Sequence, residues 1–251
     1  MPVIAVVLCG VSLGVAFGLT GVGSIFATPL LVYAVGLPPH RAVCVSMVAV
    51  NLLALVSTIQ GLKAREVAIG DGLRLGIPGL LGAPLGAWIG GFLSERTLMI
   101  IFGVFVAILA VQMLLAREAK APTPGMEGSR GARSALLAAA GLITGILAGL
   151  LGAGGVLIVP ALVLLGGLAI HRAIATSLPV IYAISVAAVS SHLLTGQTVP
   201  LQVTTWFVAG AILGLVVGRS LGERLSGPHL QKVFGSALVA VAAFILVQTL
   251  A

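Results

Sequence analysis

Residues 149–160 read GLLGAGGVLIVP, and residues 18–29 read GLTGVGSIFATP. The two stretches align at a constant offset of 131 residues, so that each Gly-Leu start and each final proline coincide. Each stretch lies inside an uncharged run, residues 1–39 and residues 134–170, about twice as long as the roughly 20 residues that one helix needs to cross a bilayer. The pattern predicts two related halves, each with a membrane helix that is interrupted by glycines. The same offset continues beyond the stretches, and pairs His40-Arg41-Ala42 with His171-Arg172-Ala173 and Ser46 with Ser177.

The composition indicates an integral membrane protein. Of the 251 residues, 59% are hydrophobic and 8% are charged, and the mean hydropathy is +1.24. A soluble domain carries about 25% charged residues. Strand-like alternation is absent, so the fold class is an all-α polytopic membrane protein. The net charge of +7 is interpreted as Lys and Arg in connecting loops, which signal topology, and not as a nucleic-acid surface.

The apolar segments divide into two membrane repeats around one polar linker. We predict the first repeat over residues 1–116, the linker over residues 117–133 and the second repeat over residues 134–251. The linker is rich in Pro, Gly and charge, as a flexible connection would be. In each repeat, a Gly-broken re-entrant or hairpin helix is followed by three transmembrane helices. The expected elements are residues 2–20, 24–35, 42–61, 75–93 and 97–116, then the broken run at 134–170 and spans at 173–195, 201–218 and 233–251, with Ser94 as an N-cap.

The positions of Lys and Arg distinguish two topologies. If each broken run crosses once, the halves are parallel, and seven basic residues face six across the membrane. If each broken run returns to its own side, the second half is inverted. Eleven basic residues then lie on the side of the linker, and only two, Arg41 and Arg96, lie on the opposite side. The positive-inside rule favours the inverted arrangement, with the linker in the cytoplasm and both termini outside. Inverted repeats with discontinuous helices are common among secondary transporters.

The two breaks are predicted to form a binding site for a small anion. A helix that restarts after glycines presents free N–H groups and the positive end of its dipole to a ligand. Nearby hydroxyl and amide groups complete such a site, although each Ser or Thr has the alternative of bonding its own helix backbone, and the glycines that of close helix packing. The candidate substrate-binding residues are Gly21, Gly23, Ser24, Thr28, Ser46, Asn51, Gly152, Gly154, Gly155, Thr176, Ser177 and Tyr182.

Three further residues are candidates for an entrance or for coupling. Arg41 and Arg172, each preceded by a histidine, either anchor the helix at the interface or attract the anion. His192 lies near the end of its helix, where it is either an interfacial residue or a proton-coupling group. Predicted spans lack Asp and Glu, which argues against carboxylate sites for cations. Cys9 and Cys44 are interpreted as packing residues, and no catalytic set, cofactor motif or metal-ligand spacing is visible.

Both stretches, with their His-Arg-Ala segments, resemble the TauE/SafE family of sulfite and organosulfonate permeases over essentially the full length. The first copy departs from the pattern, with Ser24 where a third glycine is usual and Cys44-Val45-Ser46 where Ala-Thr-Ser is common. The resemblance implies a transporter of the bacterial inner membrane for sulfite, sulfoacetate or a related anion.

Two other functions remain open from the residues alone. One is a transporter of a transition-metal cation, against which the scarcity of His, Cys and carboxylate in the spans argues. The other is a membrane scaffold subunit without transport activity. The expected partners are the bilayer and a small anionic substrate, with a homo-oligomer as one alternative for the assembly state, and no cofactor is predicted.

Overall fold

The fold is described from a computed structural model that covers residues 3–20, 23–62, 67–115, 130–222 and 227–250. These residues are almost entirely helical, and no strand occurs among them, which confirms the predicted all-α class. Six helices are long and apolar enough to cross a membrane within this part of the chain. Shorter apolar helices accompany them at both glycine breaks, in the first helix and near the C-terminus.

The helices follow the predicted order. The first half contains α1 (Val3–Thr20), α3 (Pro39–Leu62), α4 (Ile69–Phe92) and α5 (Glu95–Leu115). Between α1 and α3 lies the broken segment α2, which consists of a 3₁₀ turn (Gly23–Phe26), one α-turn (Ala27–Pro29) and a π-helical turn (Leu30–Ala34). The second half contains α6 (Arg130–Leu151), α7 with its 3₁₀ start (Gly154–Leu157, then Ile158–Leu164), α8 (Ile170–Leu194), α9 (Leu201–Gly222) and α10 (Gly227–Leu250).

Several helices begin earlier than the sequence indicated, and α4 and α6 differ by the inclusion of charged residues. Asp71 and Arg74 were expected in a loop, but α4 begins at Ile69 and includes both. Asp71 in the first turn is stabilised by the helix dipole, and its carboxylate pairs with Arg74 and with Arg133 of α6, each at 3.0 Å. The α6 helix starts at Arg130, inside the segment interpreted as the linker. Asp71, Arg74 and Arg133 therefore lie near the starts of helices, where the Asp71–Arg133 ion pair connects α4 to α6. The predicted N-cap is confirmed, because the Ser94 hydroxyl accepts a hydrogen bond from the Thr97 N–H at 3.2 Å.

Glycines create two pairs of closely packed parallel helices, α1 with α9 and α4 with α6. In each pair a Cβ added to the facing glycines would lie within 2–3 Å of a backbone carbonyl on the partner helix, as at Gly14, 2.0 Å from the Ala211 oxygen, and at Gly145, 2.1 Å from the Gly79 oxygen. Small residues allow this approach in membranes, where dispersion contacts replace the hydrophobic drive between helices. The residues involved are Gly10, Gly14 and Gly18 with Gly210, Gly214 and Gly218, and Gly141, Gly145 and Gly149 with Gly82 and Gly86.

Each of these pairs combines one helix from the first half with one from the second. The α1 helix of the first half packs on α9 of the second, whereas α6 of the second half packs on α4 of the first. The helices α3 and α8 contact each other in the centre, and α5 contacts α10. The α3 helix is the most enclosed of the six long helices, with 61% of its most apolar window buried.

Equivalent helices of the two halves start at opposite ends of the bundle. One end collects the starts of α3 and α9 and the ends of α4 and α8, because Arg41, Gly91, Gln197 and Thr198 line one cavity there. At the other end Arg133 of α6 donates both to Asp71 of α4 and to the carbonyl of Gly166, just before α8. The matched helices α3 and α8 therefore run in opposite directions, and so do α4 and α9.

We expect Gly145→Ala to destabilise the protein, because its Cβ would overlap the Gly79 backbone, which cannot move as a side chain can. Overpacking typically costs about 1–3 kcal/mol. Gly70→Ala on α4 is the matched control, since a Cβ there meets nothing within 4 Å. The thermal midpoint of the purified protein in detergent should fall for Gly145→Ala and stay level or rise for Gly70→Ala. Equal midpoints for the two variants would contradict the close packing of α4 on α6.

Candidate functional site

The two glycine breaks meet inside the bundle. After α1 the chain folds back so closely that a Cβ on Gly23 would lie 2.2 Å from the Phe17 nitrogen. After α6 it turns at Gly152, whose φ of +74° is a left-handed conformation that favours glycine. The 3₁₀ turn that begins α2 contacts the 3₁₀ turn that begins α7. The structure thus brings together the two segments that the repeat singled out.

Thr28 of the first break bonds to the second. Its hydroxyl donates to the carbonyl of Leu151, the last residue of α6, at 3.2 Å, and lies 3.2 Å from the hydroxyl of Ser46 on α3. Carbonyls in the last turn of a helix have no partner within it, so Thr28 satisfies a group that would otherwise be buried unpaired. Three segments distant in sequence are joined at this point.

Gly152 leaves no room for a side chain beside these hydroxyls. A Cβ at this position would lie 2.5 Å from the Ser46 Oγ and 3.0 Å from the Thr28 Oγ1. Both the positive φ and the space therefore require glycine. Gly155, one turn further, is also buried, and its Cβ would lie 3.1 Å from the Ile181 Cδ1 and 3.7 Å from the Ser24 Oγ.

Ser24 carries the unexplained polar group of the site. Its side chain is 1% exposed, and its hydroxyl has no hydrogen-bond partner among the described residues. A buried unsatisfied hydroxyl costs about 1–3 kcal/mol, so such a group calls for a ligand or a water. Ser24, Thr28, Ser46, Gly152 and Gly155 together are called the central cluster. All five are buried.

Asn51 lies deeper on α3 and connects it to α8. Its Nδ2 donates to the Tyr182 carbonyl at 3.3 Å and to the Ser185 hydroxyl at 3.1 Å. The Asn51 amide, a candidate substrate-binding group, is thus paired by a helix contact. The structure brings Asn51 to Tyr182, another candidate, through the tyrosine backbone. Ser185 was not singled out from the sequence.

Thr176 and Ser177 are placed differently from the central cluster. The Thr176 hydroxyl donates to the Arg172 carbonyl at 2.7 Å and accepts from the Ala68 N–H at 2.9 Å, so it holds the start of α4. Ser177 donates to its own helix at Ile174, 2.8 Å away, and Ser46 similarly donates to Val43 at 2.8 Å. The alternative of backbone bonding therefore applies to these three hydroxyls. Close packing likewise accounts for Gly18 and Gly149, the first glycines of the two stretches.

Two predicted glycines have little or no description. Gly21 lies outside the described residues. Gly154 begins the 3₁₀ turn of α7, and only its backbone is described. Gly23 and Gly155, their neighbours in the two breaks, are the positions from which the geometry of the breaks is known.

A cavity of about 530 Å³, here called the vestibule, opens at the end of the bundle where α3 begins. Arg41 lies in its wall and is exposed, whereas Arg172 is exposed near the start of α8, at the opposite end. The two candidate entrance arginines therefore mark different ends of the protein. The described residues that line it are Pro38, His40, Arg41, Gly91, Glu95, Gly196, Gln197 and Thr198.

His192 is buried, with 3% of its surface exposed. Its Nε2 lies 2.8 Å from the carbonyl of Gly149, the residue that opens the second glycine stretch. Its Nδ1 has no partner among the described residues. The imidazole therefore contacts the end of α6 next to the break.

Sequence reasoning missed the pair Cys44 and Gln197. The Cys44 thiol of α3 donates to the Gln197 Oε1 at 3.0 Å. Cys44 was interpreted as a packing residue, and Gln197 as part of a turn. The two lie 153 residues apart, in positions that the repeat does not match, so no sequence signal connects them.

The comparisons with known proteins agree on one family. The family model described as "Sulfite exporter TauE/SafE" matches residues 6–245. Proteins named "Probable membrane transporter protein" from two strains of Xylella fastidiosa are 33% identical over 241 residues, which cover 93% of this chain and 90% of theirs. "Probable membrane transporter protein YunE" from Bacillus subtilis is 24% identical over 269 residues, covering 98% of this chain and 95% of its own. No solved structure matches. The chain therefore belongs to the sulfite exporter TauE/SafE family.

Proposed function

We propose that this protein is a secondary transporter of a small sulfur-containing anion, such as sulfite, sulfoacetate or another organosulfonate. The single observation that carries the proposal is the buried hydroxyl of Ser24, which has no partner among the described residues, at the point where the two glycine breaks meet. The family and the relatives' names support membrane transport, and they agree with the prediction that the chain is not an enzyme. The choice of a sulfur anion rests on the family description.

The central cluster suits an oxyanion or sulfonate because its polar groups are hydroxyls and restarted helix turns. The first N–H groups of the turns at Gly23 and Gly154 have no acceptor within those turns, and the helix dipoles place positive potential there. Ser24 adds a hydroxyl that no described residue bonds. The five residues of the cluster carry no formal charge. An anion held by neutral donors can be bound and released without breaking an ion pair, as a transport cycle requires.

The arrangement of the halves supports alternating access. The reciprocal pairs α1 with α9 and α4 with α6, and the opposite directions of α3 and α8, are what inverted repeats would produce. Transporters built in this way rock one repeat against the other around a site near the midplane. Because the central cluster is buried in this conformation, an anion would reach it only after such a movement.

We further propose that the protein lies in the bacterial inner membrane with the linker in the cytoplasm. The linker adjoins the end of the bundle that carries Asp71 and Arg133, opposite the vestibule. The vestibule with Arg41 would then face outwards. Anion exit from a negative-inside cell is favoured by about 2.3 kcal/mol per charge per 100 mV, so export needs no coupling ion.

Ser24→Ala should reduce anion transport without destabilising the protein, because the hydroxyl forms no bond to a described residue that the variant would lose. A hydrogen bond to a charged ligand is worth about 1.5–3 kcal/mol, so KM should rise about 10- to 100-fold. The measurement is uptake of radiolabelled sulfite, sulfate and a small sulfonate into proteoliposomes. Ser12→Ala is the matched control, since its hydroxyl bonds Leu8 on the exposed face of α1.

Saturable flux of one sulfur anion, weakened by Ser24→Ala and unchanged by Ser12→Ala, would support the central cluster as its site. Wild-type flux of none of these anions, with or without an ion gradient or a membrane potential, would contradict the proposal and favour the cation transporter or the scaffold. Normal flux in Ser24→Ala would contradict the site alone.

Thr28→Val should lower the thermal midpoint, because the Leu151 carbonyl loses its donor. An unsatisfied buried carbonyl costs about 1–3 kcal/mol. Thr28→Ser keeps the hydroxyl and should keep both the midpoint and the flux close to wild type. If valine is tolerated as well as serine in both measurements, the contact does not hold the two breaks together.

The topology is tested with single cysteines in a variant that lacks Cys9 and Cys44. A cysteine at Ala121 in the linker should react with a membrane-impermeant maleimide only in inside-out vesicles. A cysteine at Gly91, where a Cβ meets nothing within 4 Å, should react only from the outside. Reaction of both positions from one side would rule out the proposed placement of the linker and the vestibule.

A further inference from the structure

The vestibule and the central cluster lie near the same end of α3. Arg41 in its wall and Ser46 in the cluster are five residues apart, which is about 7–8 Å at 1.5 Å per residue. The α4–α5 turn and the α8–α9 turn supply the other walls. A cavity of about 530 Å³ is far larger than a sulfite or a small sulfonate needs, so it can hold the anion with part of its water.

Donors for an anion converge on this cavity. Arg41 is exposed, and among the described residues ion pairs form only around Asp71 at the other end, so its guanidinium is not neutralised by a close carboxylate. The Gln197 oxygen accepts the Cys44 thiol, which leaves the amide N–H groups available to a ligand. Glu95 is the opposing charge in the lining. It would repel an anion, so Arg41 and Glu95 should act in opposite directions.

Gln197, in the lining of the vestibule, connects this cavity to Cys44 and to the second break. Cys44 is 1% exposed and donates its thiol proton to Gln197 at 3.0 Å. The backbone N–H of Gln197 donates to the backbone carbonyl of His192 at 3.1 Å, and the His192 ring contacts the Gly149 carbonyl at 2.8 Å. Gln197 is thereby connected, through the backbone and the ring of His192, to the end of α6, where the second break begins.

We propose that the vestibule is an outer binding subsite for the transported anion, held by Arg41 and the Gln197 amide, and that the Gln197–Cys44 hydrogen bond closes the route from this subsite to the central cluster. The inference rests on the proposed function, since it takes the small oxyanion or sulfonate as its ligand. Opening the route must separate Gln197 from Cys44 and so expose the thiol.

The thiol provides a readout that does not depend on flux. The chain has two cysteines, so Cys9→Ala leaves Cys44 as the single target. In proteoliposomes of this variant we would measure the rates at which Cys44 reacts with an anionic sulfonatoethyl and a cationic trimethylammonium methanethiosulfonate. Mass spectrometry of the intact protein identifies the adduct, and the thermal midpoint of each variant verifies that it is folded.

Adding Gln197→Ala should accelerate the reaction of Cys44 about 10-fold or more, because the side chain that covers the thiol is removed. The ratio of anionic to cationic rates should fall about 10-fold in Arg41→Gln and rise in Glu95→Gln, through local electrostatics. Arg74→Gln removes the same charge at the opposite end and is the matched control. Ethanesulfonate in excess should slow the reaction in the Cys9→Ala protein but not in Arg41→Gln.

A Cys44 rate that is unchanged by Gln197→Ala, or undetectable in both, would overturn the closing role. A rate ratio that Arg41→Gln and Arg74→Gln alter equally would overturn the subsite. Glu95→Gln provides a second test of the subsite should Arg41→Gln not fold. If ethanesulfonate protects Cys44 in an Arg41-dependent way but no sulfur anion is transported, the subsite stands and the proposed function is contradicted. If flux depends on Ser24 but protection does not depend on Arg41, the proposed function stands and the subsite is contradicted.

Discussion

Close contact of helix backbones across glycine is the constraint on which the rest of this structure depends. In the α1–α9 and α4–α6 pairs, a single added methyl group would overlap a carbonyl of the partner helix. The membrane offers little hydrophobic drive for joining helices, so close dispersion contact must supply it. Because each pair takes one helix from each half, the halves interlock, and the antiparallel helices α3 and α8 are held between two stiff pairs.

Polar groups are buried within this frame both in the interrupted helices and on the long ones. Most buried hydroxyls of the central helices are satisfied by a carbonyl one turn back, as Ser46 and Ser177 are. Thr28 instead bonds across the halves, and Ser24 has no partner in the described part of the chain. Three buried polar atoms lack a hydrogen-bond partner among the described residues: the Ser24 hydroxyl, the Thr58 hydroxyl and His192 Nδ1. Of these, the Ser24 hydroxyl is the one that lies in the 3₁₀ turn of the first break, where a ligand could supply an acceptor.

The charges are separated from this centre. Arg41 and Arg172 lie at opposite ends, and the ion pairs of Asp71 lie in exposed helix starts. Burying an arginine among the breaks would have carried a large desolvation cost and would have bound an anion too firmly for release. Between the vestibule and the centre, Gln197, Cys44 and His192 supply polar contacts without formal charge on Gln197 or Cys44. Exposed charge and buried hydroxyls thus lie at different depths of the bundle.

The sequence by itself determined the membrane class, the order of the helices and the two breaks. These properties follow from local hydropathy and from glycine and proline, whose effects act within a few residues. The repeat also indicated that the breaks belong together, and it singled out Ser24, Thr28, Ser46, Gly152 and Gly155, which the structure brings into one cluster. Only the tertiary structure decided that Thr176 holds the start of α4, that His192 is buried against Gly149, and that Cys44 meets Gln197. Those contacts join residues far apart along the chain, and they depend on which helix faces meet, which the exchange of helices between the halves sets and no local pattern encodes.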